Sequence, residues 1–170
     1  DEHKDKNILL VEPVPYNIIL LKENTTKYKN ITIETSAVSE KNEIKKFYYV
    51  KHDAVKKLGK HWASGIGSFD KQHILNHKYK RFMVTDIDIE EIDVQYLTFS
   101  NLMEKYSVSS IDLLQIELSL VSLYKGEDLI EDMIQYLRTL GYDLIALEDS
   151  GFSDPVSGHM MQVDGIFSRK

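Results

Sequence analysis

An acidic residue and a proline follow a short apolar run near the start of the sequence. The run is Ile8–Val11, and Glu12 and Pro13 come directly after it. Four consecutive apolar residues are typical of a strand buried on both faces, as in a parallel sheet covered by helices. Proline cannot donate to a sheet ladder, so the strand is predicted to end there. Open α/β sheets bind ligands at the carboxyl ends of their strands, and an acid there can hold the ribose hydroxyls of a nucleoside cofactor.

The position of Glu12 alone does not select one nucleoside cofactor. A nicotinamide-dinucleotide enzyme uses an acid at the same place. A glycine-rich turn, which would form the other half of such a site, has no counterpart in the sequence. A solvated carboxylate at the end of a strand is the alternative without a binding role.

Histidines are the second set of residues that could do chemistry. His61 or His73 could act as a catalytic base that takes a proton from an acceptor hydroxyl, because imidazole titrates near neutral pH. His73 and His77 are four residues apart and would share one face of a helix. No acid triad and no His-Glu-x-x-His pattern accompanies them, so we expect polar surface histidines and no metal site.

Region 53–81 shows little periodicity, apart from a possible short helix at 71–77. It contains the only tryptophan and a patch of small residues. A long loop inside a compact domain is often functional, so we predict an active-site flap. Its residues predicted to contact substrate are Trp62 and Phe69, by stacking on a planar ring, and Ser64 and Ser68, in a small-residue loop that could bind an anion. The alternatives are aromatic packing of the flap onto the body, and a hinge.

Length and composition indicate one ordinary globular domain spanning 1–170. The 170 residues are 42% hydrophobic and 28% charged, and no window resembles a membrane span or a signal peptide. Zero cysteines exclude disulfides and thiolate metal sites and suit a cytoplasmic protein. The net charge of −6 argues against binding to nucleic acid. We therefore expect no nucleic-acid or membrane partner, and the acid at the ligand-binding end of the first strand indicates a small-molecule partner instead.

Strand-like and helix-like segments alternate along the chain. Such alternation predicts an α/β fold with a mostly parallel sheet, and the last two strands read as an antiparallel hairpin. Thr98 is predicted to cap one helix and Gly141 to follow another. The predicted strands are 7–12, 31–37, 46–51, 89–96, 111–118, 142–147 and 160–169, and the predicted helices are 14–27, 98–106 and 127–140.

A set of short motifs occurs in a fixed order over most of the chain. The motifs are Val11-Glu12-Pro13 with Leu21 and Asn24, Asn30-Ile31, Ala37-Val38-Ser39, Trp62-Ala63-Ser64, Gly67-Ser68-Phe69, Leu97-Thr98-Phe99 with Leu102, Ile111-Asp112-Leu113-Leu114-Gln115-Ile116, Leu123-Tyr124 with Gly126, Gly141-Tyr142 and Gln162-Val163-Asp164-Gly165-Ile166-Phe167. This ordered set resembles the FkbM-type family of S-adenosylmethionine-dependent methyltransferases.

The resemblance implies a Rossmann-like class I methyltransferase sheet, mostly parallel, with an antiparallel C-terminal hairpin. It implies transfer of a methyl group from S-adenosylmethionine, usually to an oxygen, here expected to be a hydroxyl of a sugar or secondary metabolite. Residues 64–69 would lie over cofactor and substrate. The implied cofactor-binding residues are Glu12 at the ribose, and Pro13, Ser36, Ala37 and Val38 near the adenine.

The sequence departs from the family at two places. The family's first strand and its glycine-rich turn have no counterpart in the sequence. Two further strands of the family are fused at 111–124, with no residues between them for a right-handed crossover. Two alternatives therefore stay open: a methyltransferase-like binding module without cofactor, and a nicotinamide-dependent oxidoreductase.

Overall fold

The computed structural model describes residues 6–59, 61–76, 83–120, 129–151, 153, 157 and 159–169. Contacts divide the chain into two compact units, Asp1–Ser107 (unit 1) and Val108–Lys170 (unit 2). Each unit has its own hydrophobic core. A single domain over 1–170 stays a prediction. No helix in the described ranges combines the length and the apolar character needed to cross a membrane.

Unit 1 contains two small sheets. A parallel pair joins β1 to β2, and a second sheet has the order β3-β6-β4-β5, in which only β3 and β6 are parallel. Short 3-10 helices span His61–Gly65 and Asp86–Asp88. The strands and α-helices are β1 (Ile8–Val11), α1 (Pro15–Thr25), β2 (Ile31–Glu34), β3 (Ala37–Val38), β4 (Glu43–Val50), α2 (His52–Leu58), β5 (Gly67–Ser68), α3 (Lys71–Asn76), β6 (Ile89–Leu97) and α4 (Phe99–Lys105).

Unit 2 is an antiparallel sheet with one helix. Its elements are β7 (Leu113–Ser119), α5 (Ile130–Thr139), β8 (Tyr142–Asp149) and β9 (Gln162–Arg169), and the strand order is β7-β9-β8. Phe167, Leu137 and Leu118 are buried at its centre. Gly141, which follows the C-cap residue Leu140 of α5, adopts a φ of +85°, which favours glycine. The antiparallel C-terminal hairpin and the helix end at Gly141 are confirmed.

The predicted mostly parallel Rossmann-like sheet is wrong. Among the described residues, only β1–β2 and β3–β6 pair in parallel, and the other four ladders are antiparallel. Apolar patterning locates the longer strands, but the partners of these strands depend on contacts between distant segments. Lys46 on β4 lies directly opposite Asp93 on β6, and its Nζ is 3.1 Å from Asp93 Oδ1 and 3.4 Å from Glu91 Oε1. These ion pairs suit the antiparallel register.

The two places where the sequence departs from the methyltransferase family also have a structural outcome. No strand precedes β1 in the described residues, which begin at Lys6. At the second place, residues 113–119 form one continuous strand that pairs with β9 along its whole length.

The region 53–81 is more regular than its sequence predicts. The described part contains most of α2, a 3-10 helix, β5 and α3, and the short helix predicted at 71–77 is confirmed as α3. Ala63 and Ile74 are fully buried in the core of unit 1, together with Val50 and Val84. Sequence periodicity missed α2 and β5 because a seven-residue helix and a two-residue strand are too short to show a period. The role of the region as a flap stays a prediction.

Candidate functional site

Two acids lie at the carboxyl ends of the parallel strands β1 and β2. Val11 and Glu34 are partners in the β1–β2 register, and the Glu12 N–H donates to the Glu34 carbonyl over 3.0 Å. Parallel strands bring their carboxyl ends to the same edge of a sheet, and ligands bind at that edge in open α/β folds. We call this place the acid edge: Glu12, Glu34 and the segment from Ser36 to Val38.

Glu12 is half-buried and carries few hydrogen bonds. Its Oε1 accepts from the Val14 N–H over 2.8 Å. Burial raises the pKa of the Glu12 carboxyl, and the Val14 bond and the influence of the Asn17 side chain only partly offset that effect. Among the described residues, none of the ion pairs made by Lys or Arg includes Glu12.

The first turn of α1 connects the acid edge to the 3-10 helix His61–Gly65. The Asn17 Nδ2 donates to the Ser64 carbonyl over 3.2 Å. The Tyr16 hydroxyl lies 3.3 Å from the same oxygen and 3.0 Å from the Val50 carbonyl. Pro15 begins α1, where its fixed φ and missing N–H are tolerated, so the chain turns directly from Glu12 into this helix.

Aromatic side chains surround the Tyr16 ring. The His52 imidazole stacks on it, with centroids 5.1 Å apart, and the Tyr49 ring meets it edge-on at 5.8 Å. Burial, followed by the charge of Glu12 and the neighbouring Tyr49, raises the pKa of Tyr16 to about 12. The Tyr16 hydroxyl therefore stays protonated near neutral pH and remains a donor.

Glu34 has the opposite environment from Glu12. Its side chain is only 3% exposed, and its Oε2 accepts from Lys105 Nζ over 2.6 Å and from the Tyr106 hydroxyl over 2.8 Å. Its Oε1 accepts from the Ser36 N–H over 2.8 Å. Burial alone would raise the pKa, but the bonds from Lys105, Tyr106 and Ser36 outweigh it and lower the pKa of Glu34 to about 2.

Five of the residues predicted to bind cofactor lie at or beside the acid edge. Glu12 and Pro13 follow β1, and the segment Ser36–Val38 comes soon after β2. The Ser36 N–H donates to the Glu34 side chain, which holds this segment next to the end of β2. Ser36 is 2% exposed, and its Oγ has no hydrogen-bond partner among the described residues. Ala37 is half-buried and Val38 is exposed.

The residues predicted to bind substrate or to act as bases are more dispersed. Ser64 contacts α1 through its carbonyl, whereas Ser68 is buried in β5 opposite Tyr48. Phe69 is 59% exposed, and His73 is half-buried on α3. The backbone of His61 and Trp62 belongs to the 3-10 helix, but their side chains lie outside the described part of the chain.

Sequence reasoning missed four residues of this arrangement: Tyr16, Asn17, Glu34 and Lys105. A signal for Glu34 exists, because Ile31-Thr32-Ile33 followed by an acid repeats the strand-then-acid pattern of Ile8–Glu12. Tyr16 and Asn17 fall in the first turn after that acid, where side chains face the end of the preceding strand. The contact from Lys105 to Glu34 spans 71 positions and left no local signal.

The described residues contain no group of three or more His, Asp or Glu side chains arranged to hold a metal ion. Comparisons with protein-family models, with curated proteins and with solved structures found no match to this chain.

Proposed function

We propose that this chain is an S-adenosylmethionine-dependent methyltransferase whose acid edge binds the nucleoside part of the cofactor. The expected acceptor is a hydroxyl of a small molecule, a sugar or a secondary metabolite. Two features support the proposal: the ordered motifs of the FkbM-type family in the sequence, and the geometry at Glu12. A cytoplasmic location is part of the proposal, because a chain without cysteine needs no oxidising compartment.

The observation that carries the proposal is the half-buried carboxylate of Glu12 at the end of a parallel strand. A carboxylate has about four acceptor sites, and among the described residues the Val14 N–H is the donor that has hydrogen-bond geometry to Glu12. Two ribose hydroxyls could therefore still donate to it. Burial without a cation leaves its ionised form poorly stabilised in the free protein, and such a group gains from ligand donors.

The residues fit one half of the cofactor better than the other. The nucleoside half has Glu12 for the ribose, and Pro13 with Ser36, Ala37 and Val38 beside it for the adenine. The buried Ser36 Oγ has no partner among the described residues, so a polar atom of a ligand would satisfy it. For the methionine half, the sequence shows no glycine-rich turn.

When bound, S-adenosylmethionine supplies a methyl group on a sulfonium centre. The chain would bind and orient the reactants, exclude water and remove a proton from the acceptor hydroxyl. We assign the removal of this proton to His61 or His73. Trp62, Ser64, Ser68 and Phe69 would contact the acceptor.

Calorimetric titration with S-adenosylhomocysteine tests the proposal without knowledge of the acceptor. We expect saturable binding by the wild-type chain. Glu12→Gln keeps the size of the side chain but removes the charge that the ribose hydroxyls need, and we expect affinity to fall about tenfold or more. Glu23→Gln, at an exposed position of α1, is the matched control and should bind like the wild type.

Three results would contradict the proposal. Absence of heat from a folded sample favours the cofactor-free binding module. Saturable binding of NAD in the same assay, with none of S-adenosylhomocysteine, favours the oxidoreductase. Equal affinities of wild type and Glu12→Gln would remove Glu12 from the site.

A further inference from the structure

The 3-10 helix His61–Gly65 (the 61–65 helix) is held from two sides. On one side, Ala63 is fully buried and Ile66, the next residue after the helix, is 7% exposed, and both belong to the core of unit 1. On the other side, the Ser64 carbonyl accepts from Asn17 and lies 3.3 Å from the Tyr16 hydroxyl. The carbonyl is thus shared by two side chains of a single helix turn.

Asn17 belongs to the turn of α1 that lies between the 61–65 helix and the acid edge. Its Nδ2 donates to the Ser64 carbonyl over 3.2 Å, and the influence of its side chain lowers the pKa of the Glu12 carboxyl. Glu12 in turn accepts over 2.8 Å from the N–H of Val14, the residue just before α1. The first turn of α1 therefore connects the proposed ribose-binding acid to a backbone group 52 positions away in sequence.

We propose that Asn17, assisted by Tyr16, couples the position of the 61–65 helix to ligand binding at Glu12. This inference rests on the proposed function and adds regulation to it: Asn17 is a positioning residue of the nucleoside site. A ligand that donates to Glu12 competes with the Val14 N–H for that carboxylate at the start of α1, and the next residues of α1, Tyr16 and Asn17, hold the Ser64 carbonyl. Cofactor binding then changes the position of the helix that contains Trp62 and Ser64, the residues predicted to contact substrate.

Thermodynamic linkage gives the coupling a measurable form. If the ligand affects the 61–65 helix, loss of the connection must affect ligand affinity by the same free energy. Trp62 is the only tryptophan of the chain and belongs to this helix, so intrinsic fluorescence reports on the helix. Ligand affinity thus reports on the Glu12 end of the connection, and Trp62 fluorescence reports on the end at the 61–65 helix.

The experiment titrates S-adenosylhomocysteine into four proteins and records both calorimetric affinity and Trp62 fluorescence. We expect a ligand-dependent fluorescence change in the wild type. Asn17→Ala should lose most of this change and bind about fivefold more weakly, as expected for the loss of a hydrogen bond of ordinary strength. Tyr16→Phe, which keeps the ring and removes the hydroxyl, should show a smaller loss of both. Asn24→Ala, exposed on the same helix, should behave like the wild type.

The outcomes separate this inference from the function on which it rests. Binding in the wild type without a fluorescence change, or wild-type affinity and fluorescence change in Asn17→Ala, would overturn the coupling and leave the proposed function standing. Absence of binding by the folded wild type would overturn both. If Asn17→Ala fails to fold by circular dichroism, Tyr16→Phe against Asn24→Ala decides in the same way.

Discussion

Glu12 and Glu34 end neighbouring parallel strands, yet their surroundings shift their pKa values in opposite directions. Burial raises the pKa of Glu12, and the bond from the Val14 N–H and the influence of the Asn17 side chain only partly offset this effect. Glu34 is more deeply buried, but a cation, a phenol and a backbone N–H lower its pKa to about 2. Burial therefore does not decide the sign of the shift by itself, and the cation and the hydrogen-bond donors beside each carboxylate decide it.

The difference separates a structural acid from a candidate binding acid. The charge of Glu34 is used inside unit 1, where it joins the end of α4 to the end of β2. The charge of Glu12 is not fully used by the protein. Two acids with divergent environments commonly have divergent roles, so the acid whose charge the fold leaves poorly stabilised is the one to test for a ligand.

The largest effect is expected from loss of the Glu34 charge. Glu34→Gln leaves Lys105 without its carboxylate and puts an amide where a carboxylate accepted two bonds. Lys105 is half exposed and can return to water, so the loss should be smaller than for an ion pair in which both partners are buried. We expect the unfolding free energy of unit 1 to fall by about 2–3 kcal/mol. Urea unfolding followed by Trp62 fluorescence measures this loss in unit 1. The control is Glu104→Gln, an exposed neighbour of Lys105; a loss no larger than that of the control would refute the structural role.

Acid titration should show the same contribution by another route. The folded pKa of Glu34 lies below the ordinary value of 4.5, so its stabilisation is fully present above that value and is lost as pH falls from 4.5 toward about 2. We expect about 2 kcal/mol of wild-type stability to disappear over this interval. The measurement is the stability difference between wild type and Glu34→Gln as pH is lowered. The difference should shrink on acidification; a constant difference would show that the charge of Glu34 is not its source.

The strands and helices near both acids were largely predictable from sequence. The strand before Glu12, the helix after it, the cap at Thr98 and the C-terminal hairpin are confirmed, since each depends on residues close together in sequence. The predicted burial of that strand on both faces is wrong, because Ile8, Leu9 and Leu10 are only half-buried and Val11 is exposed. Thr98 accepts from the Asn101 N–H as an N-cap should. Local patterns thus placed the elements and the first acid.

Pairing and long-range contacts were not predictable in the same way. β6 pairs with β4 in antiparallel and with β3 in parallel, through partners about 40 to 60 residues apart, and an alternating pattern fits either direction of pairing. The contact between Lys105 and Glu34 depends on that pairing, because α4 follows β6 directly. The wrong prediction of a mostly parallel sheet and the missed partners of Glu34 have the same cause. Both depend on which strands pair, and that pairing depends on contacts throughout unit 1 rather than on local sequence.

The smallest effect, and the one of opposite sign, is expected at Glu12. At neutral pH the ionised carboxylate is half-buried with little to stabilise it, whereas a glutamine is neutral and keeps an oxygen for the Val14 N–H. Glu12→Gln should therefore raise the stability of unit 1 at pH 7 by about 0.5 kcal/mol. The folded pKa is raised, so the wild type regains its stability relative to the variant as pH falls below that pKa, and the gain should vanish near pH 4. Urea unfolding at the two pH values measures it. A substitution that stabilises the free protein and weakens its binding of S-adenosylhomocysteine would show that Glu12 is kept for a ligand; destabilisation at pH 7 would place Glu12 beside Glu34 as a second structural acid.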